Sequence, residues 1–138
     1  PDYEGGFERS DLEELVGLMD KNYVGWADYL APLVMGKSQS EELIGELSGS
    51  FCSTDPVVAK AFANATFFSD YRHILQNIIC PVQILQSASD ALASINIGHY
   101  MAEKIADSEL VIIKAEGHCL HMTNHQEITP ICLKFIKS

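Results

Sequence analysis

The spacing of apolar residues changes near residue 78, and the change divides the chain into two halves. In residues 10–76 apolar positions recur every three or four residues, as in amphipathic helices, and no strand-like run interrupts them. Polar caps and glycines divide this half into four or five short helices. The clearest start is Thr54–Pro56, where a polar cap precedes proline at the first helical position. Ser10 and Ser38, each followed three residues later by a glutamate, predict two further helix starts.

The second half is predicted to be a strand–helix–strand–helix unit. Two short runs rich in β-branched residues, Val82–Leu85 and Leu110–Ile113, are typical of buried parallel strands. Apolar residues at helical spacing lie between these runs, and others follow residue 118, so each strand precedes a helix. The fold class indicated is therefore α/β, with a helical unit followed by parallel strands and their helices.

An acidic residue and a histidine follow the two predicted strands. Asp90 comes just after the first strand and His118 just after the second. Functional residues gather at the carboxyl ends of parallel strands, so these side chains are expected to be neighbours. An aspartate can orient a histidine ring and stabilise the imidazolium that forms when the ring accepts a proton. The alternative is that Asp90 caps the following helix and His118 is an ordinary loop residue.

The 138 residues contain no Gly-x-Ser-x-Gly, the turn that carries the serine nucleophile of α/β hydrolases. In those enzymes the serine comes first, then the acid, then the histidine. The chain therefore has the features of the second half of such an enzyme. It begins with Pro1 rather than methionine and shows no targeting segment, which suggests processing or truncation.

Composition and charge exclude several classes of partner. Nineteen acidic against nine basic residues give a net charge of −10, which disfavours nucleic acids and anionic membrane surfaces. No run of about 18 apolar residues predicts a membrane span. The four cysteines lack the regular spacing of a disulfide framework, which favours a reducing, cytoplasmic compartment.

A metal site is a disfavoured interpretation. His118, Cys119, His121 and His125 are suitable zinc ligands by type, but adjacent side chains rarely converge on one ion, and no second cluster completes the set. For the same reason Cys119 is not expected to act as a nucleophile paired with His118. No metal and no cofactor is predicted.

The helical half has two interpretations. It is either a bundle with a purely structural role or a cap over a ligand pocket, in which case Trp26, Leu30 and Phe67 are the predicted ligand contacts. An aromatic residue on an amphipathic helix is more often part of a core, so the structural alternative stays open.

Several segments of the chain resemble one family of α/β hydrolases. They are EGGFERSDL, KNYVGWA, FCSTDPVVAKAFANATFFSDYR, ILQSASD, GHYM and EGHCLHM. These segments are similar to the family of the bacterial stress-response regulator RsbQ and the plant strigolactone and karrikin receptors. The resemblance implies the carboxyl-terminal part of an α/β-hydrolase fold. Residues 1–68 would form a four-helix lid, and residues 69–138 would form the last two strands of the core with their helices.

The resemblance also implies a function. It assigns the triad acid to Asp90 and the triad histidine to His118, with the serine in the half of the fold that this chain lacks. The implied ligand is a small apolar ester or lactone that is hydrolysed or sensed in stress signalling, with a partner phosphatase. One departure from the family is Ser94, where a proline is usual.

Two alternatives for the partners remain. The chain could be a non-catalytic binding or scaffold fragment whose lid helices contact another protein. In the implied fold, the strand near Val82 pairs with a strand that this chain lacks. The exposed sheet edge would then associate with the protein's own amino-terminal half or with a second copy of the chain.

Overall fold

The computed structural model describes residue 3 and residues 5–137. In this part of the chain, four α-helices and a short 3-10 helix precede a strand, a helix, a second strand and two final helices. This order confirms the predicted α/β arrangement, in which four helices, which we call the lid, precede a strand–helix–strand–helix unit. The predicted boundary between residues 1–68 and 69–138 stays a prediction, and residues 1, 2, 4 and 138 lie outside the described part.

The lid consists of four helices, which are α1 (Arg9–Lys21), α2 (Tyr23–Met35), α3 (Glu41–Ser53) and α4 (Pro56–Phe67). The start of α4 follows the prediction. The Asp55 carboxylate accepts hydrogen bonds from the backbone N–H groups of Val57 and Val58, at 2.8 and 3.2 Å. These N–H groups have no partner within the helix, so the cap stabilises its first turn.

The other two predicted helix starts are wrong. Ser10 lies inside α1, which begins one residue earlier, and the Asp11 carboxylate accepts the backbone N–H of Glu8 at 3.3 Å. The start of α3 is capped by Ser40, whose hydroxyl oxygen accepts a backbone N–H of the first turn, and not by Ser38. At α3, Ser38 is engaged in a long-range contact instead, because it hydrogen-bonds to Glu116.

The apolar helix α2 lies at the centre of the lid, where it packs against both α1 and α3. Its sequence is apolar around most of its circumference, which is typical of a buried helix. Ala27, Ala31 and Met35 are 0% exposed. The helix ends at Gly36, whose φ of 96° is a left-handed conformation that favours glycine.

The second half contains one small parallel sheet. Its elements are a 3-10 helix (Arg72–Asn77), β1 (Val82–Ser89), α5 (Ile95–Lys104), β2 (Ser108–Glu116), α6 (Leu120–Thr123) and α7 (His125–Ile136). β1 and β2 pair in parallel, and α5 packs against both strands. Both strands continue beyond the apolar runs that predicted them, so Asp90 directly follows β1 and His118 follows β2 by one glycine. Among the described residues, no helix has the length and apolar character needed to cross a bilayer.

A register irregularity lies just before these two strand ends. Ser87 pairs with Ile113, whereas Ser89 pairs with Glu116, which is two steps along β1 and three along β2. β2 therefore carries one additional residue, as in a β-bulge, and bulges redirect the chain at the end of a strand. The irregularity fixes the point from which residues 117 and 118 leave the sheet.

Candidate active site

Asp90 and His118 lie next to each other at the carboxyl ends of β1 and β2. Nδ1 of His118 and Oδ2 of Asp90 are 2.7 Å apart, which is a hydrogen-bond distance. The Asp90 side chain is 4% exposed and the His118 side chain 47% exposed. The carboxylate is therefore enclosed, whereas the imidazole reaches the surface of the described chain. The two residues that the sequence singled out are in direct contact.

Backbone N–H groups hold the other oxygen of the Asp90 carboxylate. Oδ1 accepts hydrogen bonds from Leu92 and Ala93, at 2.8 and 3.1 Å, which leaves Oδ2 for His118. The buried side chain of Gln86 closes this loop, because its Nε2 donates to the Ala93 carbonyl oxygen at 2.9 Å. Asp90 thus stabilises the turn before α5 and binds the histidine at the same time.

The backbone around His118 is fixed by contacts with both halves of the chain. The N–H of Gly117 donates to the carbonyl oxygen of Ser89 at 2.8 Å, and the N–H of His118 donates to that of Val34 in α2 at 2.7 Å. Gly117 has a φ of 98°, and a Cβ atom there would lie 2.0 Å from the Met35 carbonyl oxygen. Only glycine is compatible with this conformation and this close approach.

The electrostatics of the pair favour a charged carboxylate beside a basic imidazole. Burial acts to raise the pKa of Asp90, but the hydrogen bonds from His118, Ala93 and Leu92 outweigh it, so this pKa lies below its ordinary value. The hydrogen bond to Asp90 raises the pKa of His118 above its ordinary value, against the opposing effect of burial. When the neutral ring donates a hydrogen bond from Nδ1–H to the carboxylate, Nε2 is left as its basic nitrogen.

A third residue of this strand end, Glu116, binds the lid. Its carboxylate accepts hydrogen bonds from the backbone N–H groups of Lys37 and Ser38, at 3.0 and 3.3 Å, and from the Ser38 hydroxyl. Lys37 and Ser38 belong to the turn between α2 and α3, and we call this set of contacts the lid clasp. The Ser38 hydroxyl and the Lys37 N–H hold the pKa of Glu116 below its ordinary value.

The sequence does not predict the lid clasp, because Glu116 and Ser38 are 78 positions apart and the pattern around Ser38 predicts a helix cap. The only signal in the sequence is the pair of glycines next to them, Gly36 and Gly117, which both adopt positive φ in the structure.

The three predicted ligand contacts occupy different places in the lid. Leu30 lines a cavity of about 570 Å³ between α1 and α2, and neither Trp26 nor Phe67 is among the lining residues of this cavity. Trp26 is 5% exposed, with its ring 5.3 Å from the rings of both Tyr23 and Phe51. Phe67 is partly buried against the same lid core. The role of the three residues in ligand binding stays a prediction.

The histidine- and cysteine-rich segment after β2 does not form a metal centre among the described residues, where no three His, Cys, Asp or Glu side chains are arranged to hold an ion. Cys119 is buried beside the pair, and burial raises the pKa of its thiol, with Asp90 adding to the effect. A raised thiol pKa disfavours the nucleophilic thiolate.

The chain is similar to known receptors and esterases. It is 31% identical over 136 residues to a karrikin insensitive 2 receptor of Petunia hybrida, covering 98% of this chain and 50% of the receptor. It is 31% identical over 137 residues to a probable esterase of Oryza sativa subsp. japonica, covering 99% of this chain and 51% of that protein. A hydrolase from Oleispira antarctica, of solved structure, is 67% identical with a TM-score of 0.98, over 100% of this chain and 50% of the hydrolase. No protein-family model matches the sequence.

The four helices followed by parallel strands and their helices have the fold of the carboxyl-terminal part of an α/β hydrolase. The chain belongs to the α/β-hydrolase family of the karrikin and strigolactone receptors and their related esterases, and corresponds to the carboxyl-terminal part of that fold. It spans about half the length of the curated relatives it matches.

Proposed function

We propose that this protein is a hydrolase of the receptor–esterase type, acting on or sensing a small apolar ester or lactone. Asp90 and His118 are the acid and the base of a Ser-His-Asp triad whose serine lies outside these 138 residues. The observation that carries the proposal is the 2.7 Å hydrogen bond between Nδ1 of His118 and an enclosed Asp90 carboxylate.

Each residue has a defined role in the proposed reaction. Asp90 fixes the His118 ring with Nδ1 protonated and stabilises the imidazolium. Nε2 of His118 accepts the serine proton as the serine oxygen attacks the carbonyl carbon, and then donates this proton to the departing alcohol. His118 then accepts a proton from a water molecule as the water attacks the acyl-enzyme, and donates that proton to the serine oxygen. This step releases the carboxylic acid and restores the serine.

The lid supports the small, apolar character of the ligand. The cavity of about 570 Å³ has the size of a small-molecule pocket and a mostly apolar or aromatic lining, although neither Asp90 nor His118 is among its lining residues. Its apolar lining residues are Phe7, Leu15, Leu18, Tyr29, Leu30 and Leu33. Trp26 and Phe67 are proposed to join the pocket in the complete fold.

The cellular role is also part of the proposal. Resemblance to a stress-response regulator, together with relatives that are receptors, supports stress signalling through a partner protein such as a phosphatase. Cys52, Cys80, Cys119 and Cys132 are all free thiols, which supports a reducing, cytoplasmic location.

Turnover of p-nitrophenyl butyrate by the natural full-length protein tests the catalytic proposal. Asp90→Asn is expected to lower kcat by about 10⁴-fold, the magnitude known for the equivalent change in a serine-protease triad. Asp107→Asn is the matched control, because Asp107 is exposed at the opposite end of the sheet. A full-length protein that hydrolyses the ester equally well with Asn at position 90 would contradict the proposed triad.

The second candidate is a non-catalytic binding or scaffold protein whose lid helices contact a protein partner. The observation that favours it is the row of large apolar side chains that lid helix α4 exposes, namely Val57, Val58 and Phe62, which are 78%, 60% and 72% exposed. It predicts that the full-length protein does not react with a fluorophosphonate probe for active serines, while still binding its partner. Labelling that requires His118 would exclude this candidate.

A further inference from the structure

We infer that Glu116 is a positioning residue for His118, and that it acts by fastening the strand end that carries the histidine to the turn between α2 and α3. The inference rests on the proposed function of His118 as a base. It adds a contact between lid and core on which the orientation of that base depends.

Three consecutive residues at the end of β2 are each attached to a different part of the chain. The Glu116 side chain binds the lid turn, the Gly117 N–H binds Ser89 at the end of β1, and the His118 N–H binds Val34 in α2. Two of these three attachments lead to the lid. The backbone of His118 is therefore placed by the lid as much as by the sheet.

The lid clasp joins the strand end to the lid turn through three hydrogen bonds to one carboxylate. One carboxylate accepts two backbone N–H groups and one hydroxyl group, and hydrogen bonds to a charged acceptor are stronger than those between neutral groups. The charged and titratable groups around it and around the pair are Lys37, Asp90, His118 and Cys119. The positive charge of Lys37, a residue of the clasp, attracts the ionised carboxylate of Glu116.

The backbone around the clasp allows little displacement without breaking it. Gly117 lies so close to α2 that a Cβ atom would clash with the Met35 carbonyl oxygen, and a Cβ atom at Gly36 would lie 3.0 Å from Cγ of Glu116. If the carboxylate releases the turn, the end of α2 and the Val34 carbonyl oxygen lose a constraint next to His118. The ring is then held less well against Asp90, because its backbone anchor moves with α2.

Four substitutions in the natural full-length protein test the inference. Glu116→Gln removes the charge and puts an amide N–H₂ among hydrogen-bond donors, and Ser38→Ala removes only the hydroxyl partner. Ser38→Thr keeps the hydroxyl at an exposed position and is the conservative rescue. Glu109→Gln is the matched control, since Glu109 is an exposed glutamate on the same strand that bonds only to Gln83 in the described structure.

The first readout is the titration of the His118 imidazole by NMR, assigned with His118→Gln. We expect Glu116→Gln and Ser38→Ala to move the pKa of His118 down toward its ordinary value, while Ser38→Thr and Glu109→Gln leave it in place. The second readout is ester turnover. We expect Glu116→Gln to lower kcat by about 10-fold to about 100-fold, as for a displaced catalytic group, with KM changed by less than about twofold.

A clasp that serves only stability would lower the melting temperature without moving the His118 titration, and that result would overturn the inference. If Glu116→Gln fails to fold, the comparison of Ser38→Ala with Ser38→Thr decides by the same titration. Failure of the proposed function can be told apart from failure of this inference. The first would show as absent ester turnover in the unmodified protein, whereas the His118 titration tests the second without any substrate.

Discussion

The backbone N–H of His118 donates a 2.7 Å hydrogen bond to the carbonyl oxygen of Val34, which joins the proposed catalytic base directly to lid helix α2. Val34 is 6% exposed and lies one residue before the fully buried Met35. Its carbonyl group is one of the last four of α2, which have no hydrogen-bond partner within a helix. The N–H of His118 thus gives a carbonyl group at the end of α2 its hydrogen-bond partner. The same hydrogen bond holds the backbone of His118 in place. A ligand that displaces α2 would therefore also act on His118.

The pH dependence of ester turnover should report the Asp90–His118 pair. His118 must be neutral to accept a proton, and the Asp90 hydrogen bond raises its pKa. The acidic limb of kcat/KM in the full-length protein should therefore lie above the ordinary histidine value of about 6.5. Asp90→Asn should move the limb down, because the charged partner is lost. An acidic limb that is the same in both proteins would contradict this expectation.

Gly117→Ala should be among the most damaging substitutions in the chain. Its φ of 98° and the 2.0 Å approach of a Cβ atom to the Met35 carbonyl oxygen predict both strain and displacement of His118. The backbone strain alone is worth about 1–3 kcal/mol of unfolding free energy. Gly45→Ala in α3 is the control, because nothing lies within 4 Å of its Cβ position and it should stabilise by up to about 1 kcal/mol. Equal unfolding free energies for the two variants, measured with urea, would contradict the close approach.

Trp26 should contribute mainly to the stability of the lid. It is 5% exposed and packs against Tyr23 and Phe51, so Trp26→Ala should cost about 3–5 kcal/mol of unfolding free energy. Val24→Ala on the same helix, at a side chain 58% exposed, should cost less than about 0.5 kcal/mol. A similar small loss for both variants would contradict the packing.

Tryptophan fluorescence can show whether Trp26 contacts the ligand. Trp26 is the single tryptophan of the sequence, so the fluorescence of these 138 residues reports on its surroundings. If Trp26 contacts the ligand, as the sequence predicts, adding a small apolar ester changes the spectrum of the full-length protein, and this change is lost in Trp26→Phe. An unchanged spectrum at saturating ester would leave Trp26 with a structural role alone.

The isolated 15.2 kDa chain should associate rather than remain a monomer. Its sheet has two strands in the described part of the chain, too few for independent stability, and Ile79 before β1 is 96% exposed. Light scattering should therefore show dimers or larger species that dissociate when the amino-terminal half is supplied. Ile79→Lys should weaken the association, whereas Val57→Lys on α4, at a side chain 78% exposed, should not. A monodisperse monomer with cooperative unfolding would contradict this prediction.

Local patterns in the sequence determined the elements and their order. Helical spacing, the Asp55 cap and the β-branched runs each depend on neighbouring residues, so four or five short helices and two parallel strands were predictable from them. The strand ends at Asp90 and His118 followed from the same patterns, because parallel strands place their carboxyl ends at one edge. The meeting of these two side chains was therefore predictable as well.

Only the tertiary structure decided how the two halves are joined. By sequence the predicted cap of α3 is Ser38, with Glu41 three residues later, but Ser38 hydrogen-bonds to the Glu116 carboxylate 78 positions away and Ser40 caps the helix instead. The Val34–His118 hydrogen bond likewise joins backbone groups, which carry no side-chain signature. The sequence alone determined which residues form the proposed acid–base pair. The fold decided what holds that pair in place, because those contacts form between segments that are distant in the chain.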